Sequence, residues 1–320
     1  MIQQLLDLIH SIPFFSSLAF GITAMILVGT SWCLIGYVMG QAPKKQLNVD
    51  TVLLAVSAVS ILVSAILFVS FGNHFTGTGR ELLFCLGCYF GCGVLNNIML
   101  YLMSKAMQRG PNGIIWVCIQ SAMIFPFLVG ILFYGDIFNV FRGIGIVLLL
   151  IALFMFGFLK DNTVQGGKWR LITFSAFLIT GCIQTLATAP SFYDFARSID
   201  SALRVLATQT GGFAGVILML LIRREKNFIP TMRETLRRPL LWVYILIMQG
   251  FALIFSYMLL YPGLDVMAEH HLGGIAYPLM VASSIIGFSL FSVIQLKERF
   301  SVPQLIALTI CILGIICCCC

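Results

Sequence analysis

The sequence predicts an all-α, polytopic membrane protein, ten transmembrane helices folded as two inverted five-helix repeats. Three observations lead there. Ten separate apolar stretches each approach the roughly 20 residues that a helix needs to cross a bilayer. Of the 320 residues, 60% are hydrophobic and 10% charged, with a mean hydropathy of +1.02; a soluble domain carries roughly 25% charged residues. The basic residues, finally, crowd onto every second connection.

The chain starts with residues 1–17, where Leu, Ile and Phe mix with Gln3, Gln4, Asp7 and His10. This reads as a short amphipathic helix on the membrane surface. It lacks the basic first segment of a cleavable signal. The spans follow at 18–39, 51–71, 82–104, 112–134 and 138–159, then at 171–190, 203–222, 240–260, 275–295 and 302–320. Gly87, Gly91 and Gly93 in the third span, and Gly211, Gly212 and Gly215 in the seventh, predict close helix approach through small residues. Gln209-Thr210-Gly211-Gly212 also reads as a segment able to unwind at mid-depth. Pro126 in the fourth span and Pro278 in the ninth predict kinks. The longest connection, 223–239, holds six bases and two acids and is interrupted by Pro230 and Pro239. It suits either a surface helix against anionic headgroups or a bare determinant of topology.

The net charge of +7 suggests nucleic acid, but its placement excludes that partner. The connections after odd-numbered spans hold 15 of the 19 basic residues; the other side has only Arg80, Arg142, Arg197 and Arg204. This bias puts the odd connections in the cytoplasm and both termini outside, in a cell (inner or plasma) membrane. Seven of the eleven cysteines fall within spans, where Cys behaves as a small hydrophobe. Cys85 and Cys88 lack the partner pair or histidines of a zinc site, so no metal is expected. Cys317, Cys318, Cys319 and Cys320 read as the apolar end of the tenth span, with lipidation or a redox role as the alternative.

A duplication runs through the chain. Gly135-Asp136-Ile137-Phe138-Asn139-Val140 closes the fourth span and opens the fifth; Lys297-Glu298-Arg299-Phe300-Ser301-Val302 does the same for the ninth and tenth. At that offset of 162 residues Ser121 meets Ser283, Ile124 meets Ile286 and Leu128 meets Leu290. The expected units are 1–160, a five-helix repeat with the N-terminal surface segment, and 161–320. Five is odd, so the second repeat enters from the opposite face, the architecture of many secondary transporters. Ten helices in two inverted fives, with an acid-bearing turn after the fourth and ninth, resemble the drug/metabolite transporter superfamily. Gly91-Cys92-Gly93-Val94-Leu95-Asn96-Asn97-Ile98 and Ala106-Met107-Gln108-Arg109-Gly110-Pro111-Asn112-Gly113-Ile114 are similar to the L-rhamnose–proton symporter and related sugar porters within it. The resemblance implies a transporter; it does not carry a substrate.

Polar side chains at membrane depth cost free energy unless paired, and they tend to face a cavity or the bundle interior. Asn96, Asn97, Gln120, Gln184, Gln209 and Gln249 lie near the expected midplane, with Trp116 and Tyr277 in the same set of helices. Amides bond hydroxyls and rings stack on the C–H face of a sugar, so these eight are the candidate substrate contacts. Any one amide alone reads first as interhelical glue; the contribution of five inner helices favours substrate contact for the set. No span has a central charge, which disfavours cationic-drug export. A coupling proton must then be taken up nearer an end. Asp194, Arg197, Asp200 and Arg204 form a ladder into the seventh span, and Asp265, Glu269, His270 and His271 lead into the ninth. Each set is a candidate gate or proton acceptor, or a group of solvated charges. The favoured coupling group is Asp265, Glu269 and His270.

No Ser–His–Asp set, His-Glu-x-x-His or phosphate loop occurs, so an enzyme, a catalytic residue and a cofactor are not expected. The expected function is secondary active transport of a small polar metabolite through the bilayer, with proton-coupled sugar uptake favoured. The alternatives are an exporter of amino acids or related metabolites and a non-transporting accessory protein on the same fold.

Overall fold

The computed structural model describes residues 17–71, 78–134, 138–158, 168–197, 199–224, 228–270, 272–297 and 300–319. The amphipathic segment before Ser17, the acids Asp136 and Glu298 of the two repeated turns, and His271 lie outside the described residues. Everything described is helical or a short connection.

Among the described residues, helices occupy each of the ten apolar stretches. They are α1 (Leu18–Gln41), α2 (Val49–Phe71), α3 (Gly79–Met107), α4 (Asn112–Phe133), α5 (Val140–Phe158), α6 (Lys168–Thr188), α7 (Ser201–Arg223), α8 (239–269), α9 (Gly273–Ile294) and α10 (Val302–Cys319). Seven are long and apolar enough to cross a membrane by length and composition; Val140–Met155, Pro239–Met248 and Val302–Cys317 are shorter apolar helices. Their outer faces carry exposed Leu, Ile, Val and Phe, such as Leu62, Ile66, Leu171 and Leu246. Such a belt is stable only against lipid, so the protein is a multi-pass membrane protein.

Local chemistry sets the helix ends. Ser17 accepts from the Phe20 N–H at 3.3 Å, and Asp200 from the Ala202 N–H at 2.6 Å. Thr78 and Glu81 close a capping box at the start of α3. Each satisfies N–H groups that a helix leaves unpaired at its first turn. Arg224 ends α7 in the left-handed region at φ 44°, which sharply redirects the chain.

Pro126 interrupts α4 as expected. It has no N–H, and its ring crowds the carbonyl four residues earlier, so Ser121–Met123 tighten into a 3-10 turn. Pro278 produces no such break: α9 is continuous from Gly273. α8 is the more irregular helix, running as α-helix over Pro239–Met248, π-helical over Gln249–Ile254 and Ser256–Leu260, and α-helical again over Tyr261–Glu269. The unwinding considered for Gln209 to Gly212 does not occur: α7 is continuous through them. Its glycines serve contact instead. A Cβ at Gly211 would run into the Phe90 carbonyl of α3, and one at Gly93 into the Thr208 carbonyl of α7. The two backbones touch, which only Gly permits.

The packing order repeats. α3 lies along α6 and α7, α4 along α6, and α1 along α8 and α9; α2 faces α7, α4 faces α9 and α5 faces α10. Adding five to each helix number turns these pairs into one another or into themselves, and α3–α7 into the α8–α2 contact.

Candidate functional site

Two apolar clusters fill the bundle. One gathers Val38, Met39, Leu53, Met103, Ile115, Trp169, Met219 and Tyr244; the other Phe20, Met25, Cys85, Tyr89, Ile199, Leu264 and Met267. α1, α3, α6, α7, α8 and α9 each pass from one cluster to the other, while α4 stays in the first; between the clusters a cavity of about 200 Å³ remains. It is smaller than the roughly 300–1,000 Å³ clefts that hold drug-sized ligands. No Asp, Glu, Lys, Arg or His is among the side chains lining it.

Seven of the eight candidate contacts line this cavity: Asn96, Asn97, Trp116, Gln120, Gln184, Gln209 and Tyr277. They come from α3, α4, α6, α7 and α9. The aromatic and amide groups are held from behind. The Trp116 Nε1–H donates to Ser284 Oγ at 3.1 Å, Gln120 Nε2 to the same oxygen at 3.5 Å, and the Trp116 ring stacks on Phe288 at 4.9 Å. Asn97 Nδ2 donates to Ser57 Oγ at 3.3 Å. Gln184 is different: its Oε1 is buried and has no hydrogen-bond partner among the described residues. A buried amide oxygen left unpaired costs free energy, about 1–3 kcal/mol, unless a ligand or water satisfies it.

Gln249 is not a cavity contact. Its Nε2 donates to Val56 O at 3.0 Å and Ser60 Oγ at 2.8 Å, tying α8 to α2. It is interhelical glue, because its helix face turns it toward α2 rather than inward. The sequence reading missed Ser57, Ser60, Thr180, Thr208 and Tyr261, which also line the cavity. Ser57 and Ser60 stand three apart in the middle of α2, a legible signal; Tyr261 lies just past the end of its expected span.

The charged groups rearrange more. The expected ladder from Asp194 to Arg204 is not one helix: a helical turn at Asp194–Arg197 ends, and Asp200 caps α7. Asp194 is exposed. Glu269 and His270 are exposed as well, at the end of α8. Asp265 instead accepts from Arg204 Nη1 at 3.0 Å. Arg204 is 1% exposed. It also donates to Ile199 O at 2.9 Å and Ala196 O at 2.8 Å, and lies over the Tyr261 ring at 5.6 Å. Tyr261, which lines the cavity, shares a hydrogen bond with Thr208 at 3.2 Å. Tyr89 meets Tyr261 edge-on at 5.4 Å, and its hydroxyl is buried without a partner among the described residues. A polar path thus leads from Asp265 to the cavity through Arg204 and Tyr261.

A second cluster closes the other end of α7. Arg223 Nη1 donates to both oxygens of Asp50, at 2.6 and 2.7 Å, and its guanidinium lies over the Tyr101 ring at 4.4 Å.

No curated protein matches the chain. Among solved structures 25 chains match. One crystal structure, described only as that of a protein, superposes with a TM-score of 0.57 at 13% identity, over 92% of this chain and 96% of that one. The likeness shows a shared fold across nearly the whole chain. Residues 19–158, spanning α1 to α5, match the EamA-like transporter family.

Proposed function

We propose that the chain is a secondary active transporter of a small uncharged polar metabolite, with proton-coupled sugar uptake as its activity. The observation behind this reading is the mid-bundle cavity of about 200 Å³, rich in amides and aromatic rings and lined by no Asp, Glu, Lys, Arg or His. Amides bond hydroxyl groups in either direction, and Trp116 and Tyr277 offer faces for C–H groups. A zwitterion would leave both charges without a counter-charge in such a cavity. The packing order that recurs every five helices suits two inverted repeats, 1–160 and 161–320, alternating access around one central site. The basic bias places the Asp50 end of α7 in the cytoplasm and the Asp265 end outside. Asp265, paired with Arg204 and 22% exposed, is then the acid through which a proton would couple.

Uptake into proteoliposomes with labelled sugars and amino acids, with and without an imposed pH gradient, tests the reading. Saturable sugar uptake that rises with an inward proton gradient is the expected result. Saturable flux of amino acids alone would move the assignment to the exporter alternative, and no flux of any compound to an accessory protein. Gln184→Ala should weaken apparent affinity about tenfold, the worth of one buried hydrogen bond, at normal membrane abundance. Gln249→Ala should instead lower abundance and leave affinity near wild type. A cytoplasm-dependent reporter fused after Arg238 should be active, and one fused after Cys320 silent.

A further inference from the structure

Between α7 and α8 the chain forms a separate surface helix, Phe228–Leu236, that the transport cavity does not use. It is fastened to the connection between α1 and α2. The Asn48 N–H donates to Thr235 Oγ1 at 3.4 Å, and Arg238 Nη1 donates to Lys45 O at 3.2 Å. Beside it lies a hollow of about 550 Å³ with an apolar floor of Ile229, Pro230 and Pro239 and a wall of Arg233, Arg237 and Arg238. One acid, Glu234, shares that wall, and Arg238 Nη2 donates to it at 2.8 Å. Arg233 and Arg237 are exposed and have no acidic partner among the described residues. The hollow therefore keeps an excess of positive charge.

Its position says what neutralises that charge. α8 starts at Pro239, on the edge of the hollow, and one turn further on Trp242 is exposed with its Nε1–H donating to Leu236 O at 3.3 Å. Val243 and Leu246 continue that outward apolar surface, as do Leu221 and Ile222 at the end of α7. An indole with one end on a polar backbone and its body against an apolar belt marks the membrane interface. The hollow thus sits at headgroup level, basic above and apolar below. Guanidinium groups bind phosphate oxygens in paired hydrogen bonds. We infer that the hollow is a binding site for one anionic phospholipid, with its phosphate between Arg233 and Arg237 and an acyl chain alongside Trp242 and Leu246. The inference rests on the membrane-spanning fold and is independent of the transported substrate.

Native mass spectrometry of the detergent-purified full chain, titrated with phosphatidylglycerol or phosphatidylcholine of the same acyl composition, tests it. The wild type should retain one phosphatidylglycerol in preference to phosphatidylcholine. Arg233→Gln/Arg237→Gln should lower that preference roughly tenfold and leave phosphatidylcholine binding unchanged. Arg233→Lys/Arg237→Lys should recover part of it. Arg109→Gln/Lys168→Gln, bases elsewhere on the same side of the bundle, should change nothing. Equal retention of the two lipids by the wild type overturns the site. So does an unchanged preference in the Arg233→Gln/Arg237→Gln variant, or an equal loss in the Arg109→Gln/Lys168→Gln control. Size-exclusion profiles matching the wild type exclude misfolding as the cause of any loss.

Discussion

Arg204 in the first turn of α7 and Arg223 in its last turn each face an aspartate of another helix and the ring of a tyrosine, but their burial is exchanged. At the Asp265 end the arginine is 1% exposed and the acid 22%. At the Asp50 end the arginine is 24% exposed and the acid 5%. The buried partners also differ in support. Arg204 keeps two backbone carbonyls, of Ala196 and Ile199, if its acid is neutralised. Asp50 faces Arg223, which bonds both its oxygens. An ion pair removed from water is stabilising only while its charges stay matched, and stranding one of them is the expensive event. The two ends therefore have different weak points: at the Asp50 end losing the arginine strands a buried carboxylate, and at the Asp265 end losing the acid leaves a buried guanidinium held by two carbonyls. The proposed coupling role of Asp265 depends on those two carbonyls, which hold Arg204 while its acid is neutral.

Five substitutions test the asymmetry. Arg223→Gln should be the most damaging, because it strands the buried Asp50 carboxylate; a loss of about 3–5 kcal/mol is expected. Thermal unfolding in detergent reads it, and adding Asp50→Asn should restore most of the loss in a double-mutant cycle. Asp265→Asn should cost about 2 kcal/mol, since Arg204 retains its carbonyl partners, and should abolish pH-driven uptake while exchange of labelled for unlabelled substrate persists. Retained pH drive in Asp265→Asn would remove the coupling role from that end. Asp50→Asn alone should cost about 1 kcal/mol, because the arginine it releases already reaches solvent. Smallest of all, Glu269→Gln and His270→Asn should each leave stability within about 0.5 kcal/mol and pH dependence unchanged, as exposed groups do. Effects at the two ends that prove equal would mean burial is not what distinguishes them.

The amides divide on the same principle, by direction. Gln209 and Gln249 are alike to a sequence reader: each is a glutamine near the middle of an apolar helix. Gln209 lines the cavity, whereas Gln249 bonds Val56 and Ser60 on α2. The periodicity of an apolar helix is too weak to show which way a single amide turns, because both the lipid face and the packed face are hydrophobic. The glycines of α7 show the same limit. Their spacing permits both close packing and unwinding, and the decision comes from α3, whose Phe90 and Val94 backbone lies against Gly211 and Gly215.

By itself the sequence determined where the chain crosses the membrane, because the bilayer's thickness fixes the length of each apolar run. It determined the break in α4, because Pro126 cannot donate its hydrogen bond, and the identity of seven groups that line the cavity, because amides within a span tend to face the protein interior. Only the tertiary structure decided which charges meet. Arg204 and Asp265 are 61 residues apart, and Arg223 and Asp50 are 173 apart. Nothing local to either residue encodes its partner. Each pairing follows from how α7 packs between α2 and α8, and from the loss of water there, which leaves a charge no other way to be satisfied.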